Sequence, residues 1–440
     1  MEKEQQRLFG TDGVRGSANS ELTPDLAFDL ARAAGEPVSG HVVIGRDTRR
    51  SGPMLASAVA SGFNSVGIDV VDLGIIPTGA VSRLARDSAA TYGVVVSASH
   101  NPAEDNGIKF FARDGTKIDD AAELAIERRL NDDRPYRRAV GANIGIQTVM
   151  SDAIERYAEK VSRTVSYSMN GLEFVIDTAN GAAFAAAPYL FNKVGATVEV
   201  IADTPDGMNI NDGVGATYPE TVAKAANGRI GMAFDGDADR LIAVDEDGKV
   251  VDGDVIMAIF AEWQLERGKL HKNTVVATVM SNLGFIQAME RLGIDVIVTP
   301  VGDRHVVDAM RRSGAVVGGE QSGHILLEDR STGDGLRTAL RLMEVVASTG
   351  KELRELRTVM SELPQVLTNV KVQSKNGWQD NKSISRATAE AERELGSRGR
   401  VLVRASGTEP LIRVMVEAPT ESEAAGVADS IAGVIESELA

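Results

Sequence analysis

Two short stretches place reactive side chains at the ends of apolar runs. The first is Ser97-Ala98-Ser99-His100-Asn101-Pro102, which follows Thr91-Tyr92-Gly93-Val94-Val95-Val96. The β-branched run reads as a buried strand. It delivers two hydroxyls and the His100 imidazole to the carboxyl edge, where open α/β sheets bind ligands. Asn101-Pro102 then forces a turn. A hydroxyl in this place can serve as a nucleophile. Asn106-Gly107-Ile108-Lys109 adds a lysine on what reads as the next strand. The second stretch is Asp235-Gly236-Asp237-Ala238-Asp239-Arg240, directly after the apolar run 229–234. Three carboxylates at alternate positions repel one another unless a cation lies between them. Gly236 and Ala238 are small enough for the backbone to curl and converge the oxygens. A hard cation, Mg²⁺ in preference to Ca²⁺, suits such a set. An EF-hand is excluded, although Glu246 falls at its twelfth place: Arg240 occupies the position of the turn glycine, and Leu241–Val244 reads as a strand. Arg240 stands beside the cation loop, where a guanidinium can hold a phosphate oxygen.

Three further loops share this character. Arg7 to Gly16 packs three glycines around Thr11 and Asp12 and ends on Arg15, which such a turn can aim at a phosphate. Gly318-Gly319-Glu320-Gln321-Ser322-Gly323-His324 follows a strand expected over Ala315–Val317 and suits hydroxyl recognition through Glu320 and Ser322. His324 reads equally well as a histidine satisfied within the fold. Arg404-Ala405-Ser406-Gly407-Thr408-Glu409-Pro410, with Arg413 on the following strand, forms a phosphate nest or a plain hairpin turn. Together these loops call for a substrate that is both sugar-like and phosphorylated, held in a cleft to which every domain contributes.

The elements that must position these loops read as α/β. The chain has 440 residues, 43% hydrophobic and 25% charged, enough for about three or four domains. No apolar run reaches the roughly 18 residues of a membrane span, and the polar start Met1–Gln6 is not read as a signal peptide. The absence of cysteine excludes disulfides, thiol nucleophiles and Cys-ligated zinc, and fits a reducing cytoplasm. A net charge of -16 argues against nucleic acid or an anionic membrane as partner. An internal repeat is visible: an amphipathic helix, a glycine (Gly67, Gly195, Gly293), a β-branched strand and a proline (Pro77, Pro205, Pro300). It reads as three similar α/β domains with mixed sheets plus a C-terminal α+β domain, arranged around a central cleft, or else as one large domain with repeated units. The divisions are expected at 1–149 (serine loop), 150–247 (metal loop), 248–360 (sugar loop) and 361–440 (phosphate loop), with one long helical run over 334–360.

In this order and over essentially the whole length, the serine loop 97–102, metal loop 235–240, sugar loop 319–324 and phosphate loop 404–410 resemble the α-D-phosphohexomutase superfamily. Phe9–Gly16, Glu320–His324 and Val301-Gly302-Asp303-Arg304 are most similar to its glucosamine-phosphate branch; phosphomannomutase/phosphoglucomutase relatives usually carry Met where Gln321 stands. Ala238 stands where glycine is frequent, and the connection between helix 24–33 and strand 41–45 is short. The resemblance implies four domains around a deep cleft, the last a mobile lid. It selects Ser99 over Ser97 as the phosphorylated residue, and it implies conversion of glucosamine 6-phosphate to glucosamine 1-phosphate through a 1,6-bisphosphate, feeding UDP-N-acetylglucosamine. It further implies Mg²⁺ held by Asp235, Asp237, Asp239 and phosphoserine 99. Arg404, Ser406, Gly407, Thr408 and Arg413 would hold the non-reacting phosphate, and Glu320 and Ser322 would read sugar hydroxyls. Lys109 and His324 are candidates for proton transfer, Arg15 and Arg240 for phosphoryl contacts, and His100 joins the catalytic set beside Ser99. A hexose 1,6-bisphosphate would act as activator, and it or a kinase would prime the serine. The competing readings are a phosphomannomutase/phosphoglucomutase, a Mg²⁺-dependent sugar phosphatase of the haloacid-dehalogenase type with an aspartate nucleophile, and a non-catalytic sugar-phosphate binder.

Overall fold

The computed structural model describes residues 7–375, 377–406 and 410–439. The chain divides into two compact units. One runs to Val279 and resumes over Asp295–Thr358; the other comprises Met280–Ile294 and the chain from Val359. Among the described residues no helix is long and apolar enough to cross a membrane.

The first unit holds three sheets. The first contains β1 (Val14–Ser17), β2 (His41–Arg46), β3 (Asp69–Ile75), β4 (Tyr92–Val96), β5 (Asp105–Phe111) and β6 (Gln147–Val149), in the order β1-β5-β4-β2-β3-β6. The second contains β7 (Glu173–Asp177), β8 (Thr197–Ile201), β9 (Ile230–Phe234), β10 (Leu241–Val244) and β11 (Val250–Val251), in the order β11-β10-β9-β7-β8. The third contains β12 (Thr274–Thr278), β13 (Asp295–Thr299), β14 (Gly318–Gly319) and β15 (Ile325–Leu326), in the order β13-β12-β14-β15. The second unit carries an antiparallel sheet, β16 (Gln365–Lys371), β18 (Leu411–Glu417) and β17 (Arg400–Ala405), covered by helices Lys382–Leu395 and Glu421–Leu439.

The repeat seen in the sequence is a repeat of topology. β3-β2-β4-β5, β8-β7-β9-β10 and β13-β12-β14-β15 share one order, with the first three strands parallel and the last antiparallel. Gly67, Gly195 and Gly293 all take positive φ, 89°, 90° and 70°, and end the helix that feeds the second strand of each copy. Only glycine takes this left-handed turn without a Cβ clash. Sheets of this kind have apolar strands because both faces are covered; β4 and β9 are buried almost throughout. The helices Pro24–Gly35 and Gly52–Ser65 close one face. Thr23 caps the former by accepting from Leu26 N–H, and Pro24 begins it. The two approach closely at Gly62, where a Cβ would strike the Phe28 carbonyl.

Three local expectations change. The strand expected at Ala315–Val317 forms at Gly318–Gly319, where pairing with Ile325–Leu326 supplies the ladder. The helical run 334–360 breaks: Gly335–Thr349 ends on Gly350 at φ 67°, and a short turn of helix, Leu353–Leu356, follows. Each copy also has a second helix between its second and third strands, Thr78–Asp87, Pro219–Ala226 and Asp303–Ser313. The last is strongly polar, and only Val306, Val307, Ala309 and Met310 face the core. Its start absorbs the Val301–Arg304 motif.

Candidate functional site

The serine, metal and sugar loops are one topological feature used three times. Each joins the third strand of a copy to the antiparallel fourth: β4 to β5, β9 to β10, β14 to β15. Each therefore leaves the carboxyl end of a parallel strand, the edge where α/β sheets bind ligands.

The serine and metal loops meet directly. Ser99 Oγ donates to Asp235 Oδ2 at 2.5 Å, and both side chains are buried. Ser99 has φ 53°, unusual for a residue with a Cβ. Gly236 allows the approach, since a Cβ there would lie 2.5 Å from the Ser99 carbonyl. One carboxylate oxygen from each of Asp235, Asp237 and Asp239 lies within 4.8 Å of the others. Asp237 Oδ1 and Asp239 Oδ1 are buried without a hydrogen-bond partner. An anionic oxygen in that condition costs several kcal/mol unless a cation takes it up. The donor set, all hard oxygens, fits a hard divalent cation. Burial and the neighbouring Asp239 and Asp237 charges push the Asp235 carboxyl well above its usual range, as expected of an acidic cluster short of positive charge.

Lys109, on β5, is buried against the same cluster. Its Nζ lies 2.8 Å from Asp237, 3.0 Å from Asp12 and 3.6 Å from Asp239. Burial opposes the charge, but the carboxylates of Asp12, Asp237 and Asp239 outweigh it and hold the ammonium protonated. Lys109 is thus suited to supply fixed positive charge, not to act as a base. Arg15 pairs with Asp12 and reaches Asn101 Oδ1 at 3.4 Å, so the glycine loop does aim its arginine at the serine loop. The His100 ring lies 3.4 Å from Ser99 Oγ through Nδ1; burial, Arg240 and Arg15 lower its pKa to about 4, so it is neutral. Arg240 donates its backbone N–H to Asp235 Oδ1 at 3.2 Å, and its Nε lies 3.8 Å from Asp239 Oδ1.

The sugar loop joins through backbone contacts. Leu241 N–H donates to the Gly323 carbonyl at 3.1 Å, and a Cβ on Gly323, at φ 90°, would strike the Leu241 carbonyl. Glu320 accepts from Gly302 N–H at 3.0 Å, and Ser322 Oγ lies 3.4 Å from Glu320 Oε2. His324 turns inward, its Nδ1 3.5 Å from Asp239 and its Nε2 accepting from Gly333 N–H at 3.0 Å. Burial disfavours its charge, yet Asp239 raises the pKa to about 9. The Gly333 bond needs an unprotonated Nε2 and opposes that rise. In this geometry the ring is neutral, with Nδ1–H toward Asp239.

The second unit carries the remaining candidates. Arg404 and Arg413 face each other in register on β17 and β18, and burial together with Arg413 lowers the Arg404 pKa. Ser406 is buried, and its carbonyl accepts from Lys375 Nζ at 2.6 Å. Gly407 and Thr408 lie outside the described residues.

Several residues at the first unit's site were not anticipated. Thr78 donates to Asp237 Oδ2 at 2.7 Å, and Asn211 Nδ2 donates to the Ser99 carbonyl at 2.9 Å. Asp12 links Lys109, Lys117 and Arg15. Asp47 and Arg49 lie beneath the serine loop. One signal was available for the last two: charged residues directly follow the apolar run His41–Gly45, at the same edge as the serine loop.

Comparison with known proteins agrees with this geometry. Residues 6–137, 155–248 and 252–363 match the phosphoglucomutase/phosphomannomutase alpha/beta/alpha domains I, II and III, and residues 367–434 match that family's C-terminal domain. The chain belongs to the phosphoglucomutase/phosphomannomutase family. Among its curated relatives, the phosphoglucosamine mutase of Moorella thermoacetica is 50% identical, with 95% of this chain and 96% of that protein aligned. The phosphoglucosamine mutase of Halalkalibacterium halodurans is 47% identical over 98% of this chain and 99% of that one. Among solved structures, a phosphoglucomutase/phosphomannomutase family protein from Burkholderia thailandensis superposes with a TM-score of 0.81 at 27% identity, covering 98% of this chain and 97% of that chain. Aspergillus fumigatus N-acetylphosphoglucosamine mutase, solved with GlcNAc-6P and magnesium, shares the fold with a TM-score of 0.70 at 19% identity, covering 98% and 95%.

Proposed function

We propose that this protein interconverts glucosamine 6-phosphate and glucosamine 1-phosphate, as a phosphoglucosamine mutase working through phosphoserine 99 and a 1,6-bisphosphate. The observation that carries the reading is the contact of Ser99 Oγ with Asp235 at the mouth of the three-aspartate cluster. The near full-length identity to phosphoglucosamine mutases supports the glucosamine substrate.

In the forward direction the bond from Ser99 Oγ to phosphorus breaks as the sugar 1-hydroxyl oxygen bonds to phosphorus. The proton the hydroxyl loses is the one Ser99 Oγ gains on leaving as the free alcohol, and His324 is the candidate to carry it; Lys109, already protonated, holds charge in place. After the bisphosphate reverses its orientation, Ser99 attacks the 6-phosphoryl group and releases the 1-phosphate. Asp235, Asp237, Asp239 and a phosphoserine oxygen would hold Mg²⁺, which supplies charge neutralisation for the moving phosphoryl group. Lys109, Arg15 and Arg240 face the same group with fixed positive charge, and neutral His100 flanks the serine. Glu320 and Ser322 read sugar hydroxyls. Arg404, Ser406, Gly407, Thr408 and Arg413 hold the phosphate that is not reacting. The domain divisions 1–149, 150–247, 248–360 and 361–440 belong to this reading. So do a cytoplasmic setting, priming of Ser99 by a hexose 1,6-bisphosphate or a kinase, and no nucleic-acid or membrane partner.

The test is coupled turnover on glucosamine, glucose and mannose 6-phosphates side by side, with magnesium and a hexose 1,6-bisphosphate. The expected result is a higher kcat/KM for the glucosamine compound. Preference for glucose or mannose phosphate would assign the chain to the phosphoglucomutase/phosphomannomutase activity instead.

A further inference from the structure

β2 and β4 are parallel neighbours, and their register pairs Arg46 with Val96. One residue beyond the ladder, Asp47 and Ser97 therefore emerge side by side. Ser97 Oγ donates to Asp47 Oδ2 at 2.6 Å and accepts from Ser99 N–H at 2.9 Å. The same carboxylate holds Arg49, whose Nε lies 2.9 Å from Asp47 Oδ2 and whose backbone N–H donates to Oδ1 at 2.9 Å. Arg49, Asp47 and Ser97 are all fully buried. The remaining guanidinium donors all end on carbonyls of the serine loop and the start of β5. Nη2 reaches Ser99 at 3.0 Å and Asn101 at 2.7 Å; Nη1 reaches Asp105 at 3.0 Å and also Pro102.

Five N–H donors meet five acceptors, which only a planar guanidinium can arrange from one side chain. Four of those acceptors belong to the segment that presents Ser99 with φ 53°. A β-carbon residue stays in that region only when its surroundings hold it there. Asp47 and Arg49 touch neither the aspartate cluster's free oxygens nor Ser99 Oγ, so they act through the loop backbone.

We propose that Asp47, Arg49 and Ser97 form a positioning device that fixes the Ser99 backbone in its left-handed conformation and so aims the hydroxyl at Asp235. This gives Ser97 a task of its own: its hydroxyl is consumed by Asp47 and the Ser99 N–H, and Ser99 is left as the one that reacts. The inference rests on Ser99 being the phosphoryl carrier.

The experiment compares Ser97→Ala, Arg49→Lys and Ser99→Ala in the full-length enzyme with magnesium and a hexose 1,6-bisphosphate. Assays are run at a temperature where circular dichroism shows each variant folded. Misaimed nucleophiles lose about tenfold to a hundredfold in rate. For Ser97→Ala the device predicts a kcat loss of that size with KM changed less than about twofold. Arg49→Lys keeps the charge but offers three donors, and the same split is expected of it. Should Ser97→Ala fail to fold, Arg49→Lys decides. Unchanged kcat in a folded variant, or equal effects on kcat and KM, overturns the positioning role. Turnover by Ser99→Ala would overturn the carrier reading instead, so the two failures are told apart.

Discussion

Replacing Lys109 with methionine tests how the acidic cluster is held together. The ammonium is 1% exposed and faces Asp12, Asp237 and Asp239 at 3.0, 2.8 and 3.6 Å. Methionine keeps most of the volume and removes the charge. Deleting one partner of a buried ion pair costs about 3–5 kcal/mol. The loss has a ceiling, because a stranded carboxylate can take up a proton. From an ordinary pKa near 3.9, that costs about 4 kcal/mol at about pH 7. The expected loss of unfolding free energy in chelator is therefore about 3–4 kcal/mol. The sign of its pH dependence follows from the proton count. The folded variant binds about one proton more than its unfolded chain, so its stability falls as pH rises. The deficit relative to the parent should grow by about 1.4 kcal/mol per pH unit from about pH 4.5 to 6 and level off between about pH 6 and 7.5, where leaving the charge stranded costs no more than protonating it. Magnesium takes over part of the lost charge and should stabilise the variant more than the parent. The assay is urea unfolding followed by circular dichroism, in chelator and in magnesium. A deficit that ignores pH, or a magnesium increment no larger in the variant, refutes the reasoning.

Gly236→Ala would set a Cβ 2.5 Å from the Ser99 carbonyl, a backbone contact that cannot yield cheaply, and 2.8 Å from the side-chain end of Ile210. A loss of about 1–3 kcal/mol is expected, with weakened binding in a calorimetric magnesium titration; a neutral substitution would show the two loops are not in contact. Tyr157→Phe removes the hydroxyl that donates to buried Asp334 Oδ1 at 2.7 Å, a carboxylate that also caps the helix Gly335–Thr349. It should cost about 1–3 kcal/mol in urea unfolding; no change would mean that Asp334 finds another partner.

Features local to a few residues were legible in the sequence, and features made by distant neighbours were not. The strand before Ser97 and the strand before Asp235 are short apolar runs followed by polar residues, and both lie where expected. The three helix-ending glycines revealed the repeat, and its strand order explains why the serine, metal and sugar loops lie at equivalent edges. Thr78 and Asn211, in contrast, reach their partners across 159 and 112 residues of sequence. Nothing in their immediate surroundings distinguishes them. Asp303–Ser313 is hard to read as a helix because its charged residues mask a narrow apolar stripe around Val306 and Met310. Gly350 was a readable stop within the run 334–360, since a glycine followed by polar residues is a common helix end.

Each turnover begins and ends with one phosphoryl group on the protein, and the residue that carries it defines the chemistry. Mixing the protein with radiolabelled glucosamine 1,6-bisphosphate, quenching, and mapping the labelled peptide addresses this directly. Acid-stable label on Ser99 is the predicted result. Hydroxylamine-sensitive label on Asp235 or Asp237, the mark of an acyl phosphate, would contradict it, as would turnover with no labelled protein.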